Sequence, residues 1–211
     1  MLRSTHKDLR ILWFRALQAV AETPTGRAHL KDLLAGKLTL PGVELRELDR
    51  WNLVTTLIAL NDPDANAIFR AEQRHDPSGE GLKYAYMAEA ARPDNQSKQK
   101  YFHDYLHDPA RPEDWIADSL GAFNFWNQSQ LTEPFLLPAL SALPQIKRER
   151  KIFFLVAWLD AFIGGQQSAA AQAQVHDFLR TPGLDPDLRL KILQAVDELD
   201  RTVKIRQTFP D

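Results

Sequence analysis

Residues 185–207 read DPDLRLKILQAVDELDRTVKIRQ, and this stretch decides the fold class. Leu188, Ile192, Val196, Leu199 and Val203 follow one another in steps of 4, 4, 3 and 4, the period of one helix face. Asp185-Pro186 opens the stretch as a helix start. The carboxylate accepts a free backbone N–H, and the proline lacks the N–H that would go unbonded there. The same pair stands at Asp62-Pro63, Asp76-Pro77 and Asp108-Pro109. The same period runs through Leu9, Trp13, Leu17 and Val20, and through Trp51, Val54 and Ile58. No stretch sustains the alternation of a strand. The spacing predicts about eleven helices of about 10 to 20 residues joined by short turns. Helices of similar length at a near-constant spacing stack as antiparallel pairs, because one pair cannot bury its apolar face alone. The expectation is an all-α chain, a single α-solenoid domain over residues 1–211, of the HEAT or armadillo kind.

Composition narrows the function classes. A chain of 211 residues is long enough to bury roughly 70% of its unfolded surface. It contains no cysteine, which excludes disulfides and thiolate metal sites and fits a reducing compartment. A cytoplasmic location is the expectation. The net charge of −2 gives no footprint for nucleic acid. The N-terminus MLRSTHKDLR has no apolar signal-peptide core. The longest apolar run, Ile152 to Leu159 and on through Ala161-Phe162-Ile163, is interrupted by Asp160 and is far shorter than the ~20 residues of a membrane span. It reads as a helix buried on most sides and stopped by Gly164-Gly165.

YFHDYLH, residues 101–107, places His103 and His107 four apart on one helix face, as the first two ligands of a zinc-peptidase helix are placed. The general-base glutamate that follows the first histidine in HExxH is here Asp104. His75 and His176 lie on other segments and carry no ligand pattern of their own. The plain reading is an amphipathic helix with Phe102 and Leu106 turned inward. An enzyme using His103 and His107 with unrecognised ligands is a third reading, weakened by the missing base. Gly79-x-Gly81 in DPSGEG lacks the preceding strand and third glycine of a phosphate loop and reads as a helix–helix turn. KRERK, residues 147–151, reads as a solvated helix start rather than a site for an acidic partner. Phe123, Phe125, Trp126 and Phe135 could form a ligand platform or a partner anchor, and inter-helix packing at a turn is the plainer reading. No strand–turn–helix nucleophile elbow is present.

Four stretches in order resemble a known domain: ELDRWNLVTTLIAL (47–60), RAEQRHDPSGEGLKYAYMAEAARPDNQSKQKYF (70–102), SLGAFNFWNQSQLTEPFLLPALSALPQI (119–146) and VHDFLRTPGLDPDLRLKILQAVDELDRTVKIRQ (175–207). Together they are similar to the C-terminal helical domain of zinc aminopeptidases of the aminopeptidase N and puromycin-sensitive aminopeptidase type. In that family HExxH and a Gly-x-Met-Glu-Asn motif lie in a separate catalytic domain, and the third zinc ligand falls 19 positions after the second histidine. Here that position is Trp126, and the methionines are Met1 and Met87, the latter followed by Ala88. The resemblance implies that His103 and His107 are a decoy and that the chain has no catalytic or metal residues of its own. Zinc would belong to the parent's catalytic domain. The implied role is to close the active-site chamber over peptide substrates and limit their entry, with that catalytic domain as partner. It also implies a start inside the family's domain, as an excised piece or a reduced stand-alone relative. Alone, the chain is expected neither to bind zinc tightly nor to cleave peptides. Arg50 and Trp51 are expected to be structural, Trp51 in the core and Arg50 pairing or capping beside it. The competing reading is a stand-alone scaffold binding a protein or peptide partner along a concave face. Residues 9–20, apolar on more than one side, point instead to a missing neighbour and to self-association through this end.

Overall fold

The computed structural model describes residues 6–209, and among them every helix or strand assigned is helical. The chain is all-α. The elements are α1 Lys7–Val20, α2 Pro24–Leu34, α3 Glu47–Ala59, α4 Ala65–His75, α5 Gly79–Ala90, α6 Asn95–His107, α7 Glu113–Phe123, α8 Ser129–Thr132, α9 Leu136–Ser141, α10 Leu143–Glu149, α11 Ile152–Phe162, α12 Ala169–Leu179 and α13 Pro186–Thr208. Two 3₁₀ turns, Trp126–Gln128 and Glu133–Phe135, flank α8. The described residues cluster into two compact groups, one through Arg92 and one from Pro93 onward. No described helix is long and apolar enough to cross a membrane.

The expected helix lengths hold for most elements but fail between residues 124 and 150. Pro134, Pro138 and Pro144 fall there, each removing a backbone donor, and the chain forms short pieces in place of full helices. At the other extreme α13 runs for 23 residues.

The four Asp-Pro pairs do not act alike. Only at Asp185 does the carboxylate cap the helix, accepting from the backbone N–H groups of Asp187 and Leu188 with Pro186 in the first turn. Asp76 and Asp108 terminate α4 and α6 instead. The residue before proline is driven out of the helical region, so the preceding helix stops there. In the three remaining pairs the carboxylate accepts the N–H two residues on, from Asp64, Ser78 and Ala110 at 3.0, 3.3 and 2.9 Å. These are Asx turns. Ahead of α5 the cap is Ser78, whose hydroxyl accepts from Gly81 N–H, while Asp64 and Pro112 at the starts of α4 and α7 make no side-chain cap.

In the first group α3 is the hub. It packs against α1, α2, α4 and α5. Trp51, Leu53, Val54, Leu57 and Ile58 are all buried, so the helix is apolar on most sides, as a helix surrounded by others must be. In the second group α11 packs against α7, α10 and α13 and buries Phe154, Leu155, Trp158, Leu159 and Phe162. It is less enclosed than the sequence suggests. Ile152 and Val156 are exposed, and Phe153 is 83% exposed. Gly165 follows it for a steric reason: a Cβ there would stand 2.5 Å from the Ala161 carbonyl oxygen and 2.8 Å from Asn124 Cβ.

Around Phe162 lies an aromatic cluster. Ring centroids are 4.4 Å apart for Trp158–Phe162, 5.7 Å for Phe102–Phe162 and 5.6 Å for Phe123–Phe162, distances at which aromatic pairs attract beyond their area burial. The Lys98 side chain is fully buried beside this cluster. Its Nζ donates to the Phe123 carbonyl at 2.6 Å and stands 4.8 Å from the Phe123 ring centroid. Burial pushes the Lys98 ammonium down to about 7, against a smaller upward pull from Asp94.

A folded-state value below the unfolded one makes the unfolded chain the better proton binder between the two. Stability therefore rises with pH above about 7, with a limiting slope of about 1.4 kcal/mol per pH unit from this group. Urea denaturation of wild type and Lys98→Met at neutral and mildly alkaline pH will read it. The wild-type midpoint is expected to climb relative to the variant. Parallel pH profiles would show that Lys98 carries no such penalty.

Candidate functional site

The polar residues of the first group converge where α3, α4 and the start of α5 meet. Glu72 points from α4 toward α3 with its carboxylate buried. Arg50, on α3, meets it with two parallel bonds, Nε to Oε1 at 2.6 Å and Nη2 to Oε2 at 2.7 Å. A third donor, Nη1, reaches the Leu34 carbonyl at the end of α2 at 3.2 Å. The planar fork suits a carboxylate in a way a lysine could not, and the Glu72 carboxylate holds the Arg50 guanidinium still more firmly protonated.

Trp51, the next residue, is buried and packs edge-on to Phe69 at 5.8 Å. Its indole N–H donates to Asp76 Oδ2 at 3.0 Å. The Ser78 hydroxyl donates to Asp76 Oδ1 at 2.6 Å. These bonds, that of Ser78 foremost, hold the Asp76 carboxyl below its usual range despite its burial. Gly81 lets this happen. A Cβ there would lie 2.2 Å from the Asp76 carbonyl oxygen, so any larger residue would push α5 off the junction. The turn between the helices is confined to residues 76–78, and Gly79 and Gly81 fall in the first turn of α5 rather than in that turn, Gly81 serving the close approach.

At the same junction Glu47, Glu72 and His75 each bring one metal-capable atom to within 4.8 Å of the others. Sequence reading passed over this set. The signal available was Glu72-x-x-His75, two residues on one helix face, but nothing local ties Glu47 to them.

In the second group His103 and His107 sit on the exposed face of α6, with ring centroids 4.9 Å apart. His103 Nδ1 is 3.8 Å from Asp104 Oδ1. Among the described residues no third donor converges on the pair, so this pair does not fit a catalytic zinc, which takes three protein ligands. Phe102 packs inward against Phe135 and Phe162. Phe123 and Trp126 do not share an environment: Phe123 is fully buried, while Trp126 is 41% exposed and accepts a bond at its carbonyl from Gln167 Nε2 at 2.7 Å. They form no common platform.

The basic stretch 147–151 ends α10 at Glu149 and leads through Arg150 to the N-cap of α11 at Lys151. Cations are favourable at a helix C-terminus, where the carbonyl ends carry partial negative charge. Lys147 pairs with Asp185 and Asp187 at 2.6 and 3.2 Å. Arg150 lies over the Phe154 ring at 5.4 Å. A cleft of about 600 Å³ runs beside this stretch, lined among others by Pro144, Lys147, Arg148, Phe178 and Leu184.

No family model matches the chain. Aminopeptidase N of Streptomyces lividans is 27% identical over 143 residues, which is 68% of this chain and 17% of that protein. The chain therefore spans less than a fifth of the length of this relative, and the similarity links it to aminopeptidases.

Breaking the Arg50–Glu72 pair is expected to destabilise the first group strongly. Replacing Arg50 by Ala leaves a buried carboxylate uncompensated and should cost about 3–5 kcal/mol, read as a drop in the urea midpoint. The double variant Arg50→Leu, Glu72→Met should recover much of that loss. A loss under ~1 kcal/mol for Arg50→Ala would mark the pair as a surface-like contact.

Proposed function

We propose that this chain is a non-catalytic C-terminal helical portion of a zinc aminopeptidase, closing the active-site chamber and limiting which peptides enter. The observation that carries this reading is the match to aminopeptidase N over 68% of the chain but 17% of the relative. The all-helical build agrees with it. The attack of metal-bound water on the first peptide bond would belong to the catalytic domain of the same parent chain. That domain and the peptide substrates are the proposed partners, a cytoplasmic location goes with the reading, and neither nucleic acid nor membrane has a part in it.

An immunoblot of the source lysate, with antiserum against this chain, tests the proposal. The expected band is far larger than 24.1 kDa. A band at that mass would replace the proposal with a stand-alone helical scaffold, and the search would turn to its binding partner. The purified chain is expected to release no product from aminoacyl amide substrates.

The outer face of α1 favours a covering neighbour in either case. Leu9, Leu12 and Val20 are exposed there, and Trp13 is 54% exposed, while Phe14 is buried. Contiguous apolar surface of this kind usually marks an interaction site. The isolated chain is therefore expected to self-associate in sedimentation, and Leu12→Glu with Trp13→Glu to return it to monomer. A clean monomer for the unaltered chain would count against a partner at this face.

A further inference from the structure

We propose that Glu47, Glu72 and His75 form a binding site for a divalent first-row transition ion, with zinc the probe of choice. This goes beyond the aminopeptidase reading and departs from the expectation that the chain alone holds no metal.

The site is a mixed donor set drawn from two helices rather than a patch of acids. Glu72 and His75 stand three apart near the end of α4, and Glu47 is in the first turn of α3. The Glu-x-x-His spacing puts a carboxylate and an imidazole on one helical face, the way metal-binding helix bundles present their ligands. One imidazole with two carboxylates suits zinc and its first-row neighbours better than calcium or magnesium, which favour all-oxygen shells.

The distances are those of an open site that has to draw together. Zinc bonds nitrogen and oxygen at about 2.0–2.2 Å in a tetrahedron, so two donors on one ion lie about 3.4 Å apart. The three donor atoms lie within 4.8 Å of one another. The remaining closure falls to Glu47 and His75, which are exposed and able to change rotamer.

Glu72 supplies the fixed point. It is buried, and the two bonds from Arg50 lock its orientation. A carboxylate offers about four lone-pair sites, and the arginine fork takes two, which leaves the carboxylate able to accept an ion from the other side. Charge also fits. Glu47 and Glu72 carry two negative charges against the one positive charge of the Arg50 guanidinium paired with Glu72, so the ligand set presents a net negative charge to a dication.

The test is a zinc titration of the untagged full chain by calorimetry, with thermal denaturation in parallel. One zinc per chain and a rise in melting temperature are expected. His75→Ala and Glu47→Gln, both at exposed positions, should each weaken binding at least about tenfold and abolish the thermal shift while leaving the circular dichroism unchanged. His103→Ala with His107→Ala should leave binding intact. Absence of saturable binding would overturn the proposal, and so would binding that is lost with the His103 and His107 changes but survives those at His75 and Glu47.

Discussion

A helix that is apolar on most sides has to be surrounded, and α3 imposes that constraint on everything through Arg92. Its buried residues, from Trp51 to Ala59, cannot be satisfied by one neighbour, so four helices pack around it. Close packing of this kind leaves little tolerance for polar groups, and the carboxylates of Glu72 and Asp76 beside α3 both have donors. Glu72 meets Arg50, and Asp76 meets the Trp51 indole and Ser78. A buried carboxylate without such a partner would cost more than the pair gains, so these contacts specify how α4 and α5 sit against α3 more than they add to net stability.

The second group solves the same problem with aromatic rings. Trp158 and Phe162 on α11, Phe102 on α6 and Phe123 on α7 interlock, and the Trp158 indole N–H donates to the Ala139 carbonyl at 3.1 Å. Lys98 is the discordant member: a long cationic side chain under a mostly apolar lid, satisfied by the Phe123 carbonyl and ring. Its depressed affinity for a proton is the direct consequence of removing an ammonium from water.

The functional reading and the proposed metal site are independent of each other. Similarity to an aminopeptidase N over part of its length bears on what a longer parent does. The Glu47–Glu72–His75 arrangement bears on this chain alone. The histidine pair that first draws the eye, His103 and His107, has the helical spacing of a metal site, but among the described residues no third donor converges on it. His75, which carries no ligand pattern in the sequence, has two carboxylates beside it.

The helical class was legible because a period of 3.6 residues is a local property: Leu188 through Val203 predict α13, and Trp51 through Ile58 predict α3, from spacing alone. Asp185 was legible as a cap for the same reason. Asp76 and Asp108 were not, because whether an Asp-Pro pair starts the next helix or ends the last one depends on the turn the chain takes there. The burial of Lys98 could not be read from NQSKQKYF, a polar stretch whose one hidden cation is chosen by where the Phe123 carbonyl falls. Arg50 and Glu72 are 22 residues apart, and Glu47 joins His75 only through the packing of α3 on α4. Periodicity assigns each residue a face of its own helix. Which faces meet, and which side chains then stand within bonding distance, is set by the packing of the helices, and that was decided by the tertiary structure.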